Sequence, residues 1–272
     1  MALSWKRAGI VDEVIAFGHN PATLQKALDK GAADTVTTSM EEAVKDADIV
    51  VSAVPVEAME SVFTEMAPFL KSDAVVTDVG STRQTVIAAA RKGLGDKFHQ
   101  YAPAHPIAGG EMPGVDYASA DLFDEKVVIS TPDEGMDPKV VTFIEEAWRK
   151  AGARVQAMSP LQHDLTFASV SHLPHVLAYA LVDMIAREEN AQEKLKMAGA
   201  GFRDFTRIAS SSPVMWRDIC LSNREALSHE LKRYRASLDT LQKYIDESDG
   251  KALESVFENA VRNRRGLVFP GK

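Results

Sequence analysis

Cysteine occurs once in these 272 residues, as Cys220, which excludes an internal disulfide and any metal site built from several thiolates. Aromatic residues are sparse as well, at 7%. Positive charge is in deficit: 31 Lys and Arg stand against 39 Asp and Glu, for a formal net charge of −8. A chain with no basic excess has little with which to attract phosphate backbones or anionic lipids, so neither nucleic acid nor a membrane is expected as a partner. No uninterrupted apolar run approaches the ~20 residues of a membrane span. The opening Met1-Ala2-Leu3-Ser4-Trp5-Lys6-Arg7 lacks the charged head and apolar stretch of a secretory signal. The expectation is a cytoplasmic globular protein, 45% apolar, with one large or two smaller cores.

Within residues 1–158, apolar runs recur at 13–17, 48–54, 74–79, 126–130 and 153–157. Each is continuous rather than alternating, the pattern of a strand covered by helices on both faces. Helical stretches at 21–30, 56–70, 82–93 and 137–152 lie between them, the first and last closed by Gly31 and Gly152. This alternation predicts an α/β fold with a Rossmann-like, mostly parallel sheet. At Ser159-Pro160, a capping residue and then one suited to the first helical position, the pattern changes. Helix is expected over 160–189, kinked at Pro174, and again over 214–246 and 251–265. The chain thus divides into an α/β domain at 1–158 and an all-helical domain at 159–272, whose Ala-, Leu- and Met-rich helices suit a homodimer.

Open parallel sheets bind ligands beyond the carboxyl ends of their strands. The run ending at Val54 turns through Pro55, and the run ending at Val79 turns through Gly80, Ser81 and Thr82. Gly80 would let the backbone approach a ligand, while Ser81 could cap the next helix or aim its hydroxyl into the crevice. The run 13–17 reads as the second strand of a dinucleotide fold and ends at His19 and Asn20 instead of the carboxylate that grips a ribose 2′-hydroxyl. With no carboxylate to repel a 2′-phosphate, the cofactor choice between NAD and NADP leans toward NADP, although a helix cap explains Asn20 equally well.

Three polar clusters remain. His105 lies between a strand-like segment and Gly109-Gly110-Glu111. His163-Asp164 precede Ser171-His172-Leu173-Pro174-His175 on one helix, His172 and His175 sharing a face. Gly201-Phe202-Arg203-Asp204-Phe205-Thr206-Arg207 is followed by Trp216-Arg217-Asp218. No His-Glu-x-x-His pattern accompanies the histidines, so no metal is expected. Arginine is suited to gripping a carboxylate bidentately. The clusters point to a crevice between the two domains that takes a small polyanionic substrate.

These stretches, in this order and spacing, resemble the prephenate/arogenate dehydrogenase family of tyrosine biosynthesis over essentially the whole chain. The resemblance implies oxidative decarboxylation of prephenate, or of arogenate, with hydride transfer to NAD(P). It implies that His105 polarises the reacting hydroxyl and that Ser81 orients it beside the nicotinamide. It implies that Arg207 binds the substrate carboxylate, that Asp204 joins an ionic network with His172, and that His163, His175, Glu111 and Trp216 line the pocket. His19, Asn20, Val54, Pro55, Gly80 and Ser81 would meet the cofactor. The family opens with a strand and a G-x-G-x-x-G turn, whereas residues 1–9 resemble the remainder of its first helix. The expectation is a chain that starts late; a cofactor-deficient binder of aromatic ligands is the alternative.

Overall fold

The computed structural model describes residues 1–109 and 114–267. A short helix, α1 (Ala2–Arg7), precedes β1 (Ile15–Phe17), α2 (Pro21–Asp29) and β2 (Thr35–Thr37), with β1 parallel to β2. Then α3 (Met40–Val44) leads to β3 (Ile49–Ser52) and α4 (Met59–Met66) to β4 (Val75–Asp78), a parallel pair with Ser52 opposite Asp78. Next, α5 (Gln84–Leu94) returns the chain to β5 (Tyr101–Ala102), parallel to β4. Past Pro103, β6 (Ala104–Ile107) runs antiparallel to β7 (Val127–Ser130), and α6 (Pro138–Lys150) delivers β8 (Arg154–Ala157) parallel to β7. Among the described residues the sheet falls into three segments, β1-β2, β3-β4-β5 and β6-β7-β8. It is the expected α/β sheet, mostly parallel.

Burial explains the continuous apolar runs. On one face α4 and α5 pack Met59, Phe63, Val86 and Ala90 against Val76 and Tyr101. On the other, α1 and α6 bring Trp5 edge-on to Trp148, ring centroids 5.4 Å apart, over Val128 and Ala104. Strands covered twice cannot alternate apolar and polar residues.

The second half is helical: α7 (Pro160–Phe167), a π-helical turn over Ala168–His172, α8 (Leu173–Ala186), α9 (Ala191–Lys196) and α10 (Ala200–Thr206). A 3₁₀ turn over Arg207–Ser210 precedes α11 (Pro213–Ser222), α12 (Arg224–Asp246) and α13 (Gly250–Arg265). Ser159 caps α7 through the Gln162 amide, as its sequence position implies. One expectation gains its physical detail and one needs correction. The amide that Pro174 lacks is absorbed by the π turn just before it. The helix expected over 214–246 breaks at Asn223, which leaves helical geometry and spends its side chain on the site. Taken through the π turn, Pro160–Ala186 is, by length and composition, apolar enough to cross a membrane. Its His163, Asp164 and His172 are buried and hydrogen-bonded within the protein, while Leu161, Leu165, Val170 and Met184 on its other side are exposed.

Candidate active site

His105 sits in β6, paired with Ile129 of β7. Pro106 beside it has no amide to donate, which suits β6 to the edge of its segment. The imidazole is half-buried, and its inner nitrogen, Nδ1, lies 2.8 Å from Nε2 of His163. His163 is fully buried, and its Nδ1 lies 2.9 Å from Oδ1 of Asp164. Phe167, one turn further along α7, stacks on the His163 ring at 4.4 Å and touches the His105 ring at 5.0 Å. Burial, followed by the nearness of His163 and of the Arg83 guanidinium, holds the His105 pKa well below its ordinary value. Burial lowers His163 as well, against the pull of Asp164.

Asp164 is anchored across the domain boundary. Its carboxylate accepts the backbone amides of Arg83 and Gln84, at 2.8 and 2.9 Å, where α5 begins. Those amides have no partner within the helix, so a carboxylate from α7 caps α5. Burial works against the Asp164 charge, but His163 and the two amides outweigh it and its pKa falls. This overturns the reading of Ser81 as the helix cap. Ser81 is half-buried, and its hydroxyl has no protein partner among the described residues.

Beneath this cap, Arg83 is fully buried and paired with Asp78 at 2.6 Å; Tyr101 donates to the same carboxylate at 2.6 Å. Gly80 closes over the pair: its amide donates to Asp78, and a Cβ there would fall 2.7 Å from the Arg83 guanidinium. What Gly80 lets the backbone approach is therefore an ion pair of the protein itself.

The Asn223 side-chain amide reaches the backbone carbonyl of Asp164 at 2.8 Å and Nδ1 of His172 at 3.1 Å. His172 is buried, which lowers its pKa to about 4. Its partner is thus Asn223; Asp204, expected in that role, is exposed on α10. His175 donates Nδ1–H to the Ser171 carbonyl and stacks on Trp216, centroids 3.6 Å apart. The Trp216 indole N–H is buried without an acceptor among the described residues. Contacts thus run from His105 through His163, Asp164, Asn223 and His172 to Trp216 and His175.

Arg207 opens the 3₁₀ turn that packs on α8, the helix bearing His175. Glu111 lies outside the described residues. At the strand ends, Val54 is half-buried and Pro55 exposed beyond β3, and Ser81 follows β4. His19 is exposed beyond β1, and Asn20 caps α2 through the amides of Ala22 and Thr23. Asn20 is therefore accounted for by its cap. An unpartnered serine hydroxyl at the parallel strand ends, and no carboxylate after β1, fit a nicotinamide dinucleotide. Sequence pattern gave no sign of Gln84, Phe167 or Asn223, whose roles arise from contacts distant along the chain.

Parallel strand ends facing a helical half, with a chain of linked imidazoles at the junction, define a two-domain dinucleotide-dependent dehydrogenase. Residues 1–157 match the family model for the prephenate dehydrogenase nucleotide-binding domain, and residues 159–259 match that for the prephenate dehydrogenase dimerization domain. A cyclohexadienyl dehydrogenase of Zymomonas mobilis is 38% identical, over 86% of this chain and 80% of the relative. A prephenate dehydrogenase of Bacillus subtilis is 35% identical, over 100% of this chain and 74% of the relative. The crystal structure of prephenate dehydrogenase from Aquifex aeolicus, in complex with hydroxyphenyl propionate and NAD+, superposes with a TM-score of 0.89 at 34% identity, covering 97% of this chain and 92% of that one. This chain belongs to the prephenate dehydrogenase family.

Proposed function

We propose that the chain catalyses oxidative decarboxylation of prephenate to 4-hydroxyphenylpyruvate, with His105 as the group that accepts the hydrogen bond of the reacting hydroxyl. The observation that carries this reading is an imidazole at the domain junction, held through one ring nitrogen by His163, where burial holds its pKa well below the ordinary value. Prephenate bears a C4 hydroxyl and a C1 carboxylate on a cyclohexadiene ring. Hydride leaves C4, the electron pair of the C1–carboxylate bond enters the ring as CO2 departs, and the product is a phenol. Bound NAD(P) supplies the hydride acceptor.

Aromatisation drives the reaction, so the protein has only to align the ring and hold the hydroxyl proton. An acceptor must be unprotonated to do so, and the burial that lowers the His105 pKa keeps it neutral at working pH. His105 is oriented by His163, not by Ser81, whose hydroxyl is left for the cofactor side, and Arg207 holds the substrate carboxylate as a bidentate fork. His175 and Trp216 form a stacked wall, with His172 held behind it by Asn223. Asp204, exposed on α10, belongs to the polar rim, and the helical half joins two copies. Arogenate is the second reading; the name of the Zymomonas relative, a cyclohexadienyl dehydrogenase, is compatible with either substrate.

Exchange of His105 for Asn tests the assignment. The kcat, followed by nicotinamide absorbance, should fall by about 10²–10⁴-fold with little change in substrate KM. Near-native turnover would remove His105 from this role.

A further inference from the structure

The hydrogen-bond chain behind His105 has a direction. Asp164 accepts the Arg83 and Gln84 amides at 2.8 and 2.9 Å and the Gln84 side-chain amide at 3.3 Å, so it is a carboxylate with no proton to give. The proton in its 2.9 Å contact with His163 therefore sits on His163 Nδ1. A neutral His163 then has a bare Nε2, and the 2.8 Å contact from that atom to His105 needs a donor at His105 Nδ1. His105, neutral in turn, is left with a bare Nε2.

We propose that His163 and Asp164 are positioning residues that fix His105 in its Nδ1–H tautomer, so that Nε2 is the atom that accepts the substrate hydroxyl. The claim about substrate rests on the function proposed above; the tautomer does not. The competing arrangement, in which His163 donates from Nε2, would make His163 an imidazolium. His163 is fully buried, and both desolvation and the nearby Arg83 disfavour that charge. Phe167 holds both ring planes, stacking on His163 at 4.4 Å and touching His105 at 5.0 Å. The other tautomer would present an N–H to a hydroxyl that must itself donate.

Two measurements test this on the full chain. In long-range proton–nitrogen correlation spectra of histidine-labelled protein at neutral pH, His105 should show a protonated Nδ1 and a bare Nε2. Its signals are assigned by their loss in His105→Asn. A predominant Nε2–H form would overturn the proposal whatever the kinetics of His105→Asn show. The second measurement compares two variants. His163→Gln places an amide oxygen near the former Nε2 and can still accept from His105, whereas His163→Phe cannot. The Phe variant should lose kcat by about 10²-fold, within the range a positioned acid–base group supplies, with KM within about twofold, while the Gln variant recovers most of it. Equal loss in both variants, or a raised KM at unchanged kcat, would also overturn it. Should the Phe variant fail to fold, the wild-type spectrum decides alone.

Discussion

His19 and Asn20 end the strand that, in dinucleotide folds, governs the choice between the two nicotinamide cofactors. Asn20 spends its side-chain oxygen on the α2 cap, and His19 is exposed, so neither brings a negative charge to the ribose. A 2′-phosphate meets no repulsion there, and kcat/KM should be several-fold higher with NADP than with NAD. Asn20→Asp isolates the charge, because Asp caps a helix about as well as Asn. It should leave the melting temperature unchanged and move the preference toward NAD; a wild type that prefers NAD would overturn the assignment. At this scale the histidines were legible, because His163, His172 and His175 crowd one helix and His105 stands beside glycines. The bonds between them were not. Asn223 is 51 residues from His172, and Gln84 is 80 from Asp164, and no local pattern spans such distances. For the same reason the sequence points to Asp204 as the partner of His172, which bonds Asn223 instead.

Elements buried on both faces declare themselves. β3, β4 and β7 fall inside their apolar runs because helices cover both sides, whereas β8 lies in its run with Arg154, Gln156 and Ala157 exposed. β2 is the three residues Thr35–Thr37, β5 only two, and β6 contains a histidine and a proline, so none makes a run that periodicity detects. Gly93 shows how a residue can look like a boundary and be something else. The sequence pattern ends the helix at Gly93, yet α5 continues to Leu94 and Gly93 faces α4. A Cβ would fall 2.6 Å from the Phe63 Cβ and 2.9 Å from the Thr64 backbone nitrogen, neither of which can swing away. Gly93→Ala sets two effects against each other. Alanine gains about 1 kcal/mol in helix propensity, and overpacking costs about 1–3 kcal/mol. Because the obstruction is backbone and a Cβ, overpacking should win. Chemical denaturation should show a net loss of up to about 2 kcal/mol; a stabilised variant would mean that α4 and α5 can separate freely. Since the first turn of α5 holds Asp164, the same variant should also lower kcat.

The two halves of the molecule meet through polar groups that must stay neutral or paired. Thr82 and Thr85 bond to Ser222, Asn223 reaches Asp164 and His172, and His163 reaches His105. This junction makes the whole molecule sensitive to acid in a defined window. His172 has a pKa of about 4 when folded against 6.5 when free, so between those values the unfolded chain binds more protons. Stability is therefore fully present above about pH 6.5 and is lost as pH falls toward 4, by about 3 kcal/mol from this residue. His105 and His163, lowered by the same burial, act in the same direction. Asp164, whose pKa is depressed below 3.8, loses its contribution only further into acid, so the upper window belongs to the imidazoles. Exposed pairs such as Lys26–Asp116 are screened and add little. Denaturant titrations between neutral pH and about pH 4.5 should show this decline. His172→Gln should be less stable at neutral pH yet show a shallower slope, because a residue that cannot be protonated has nothing to lose in acid. A wild type equally stable across that range would mean that the imidazoles are not held neutral where the two halves meet.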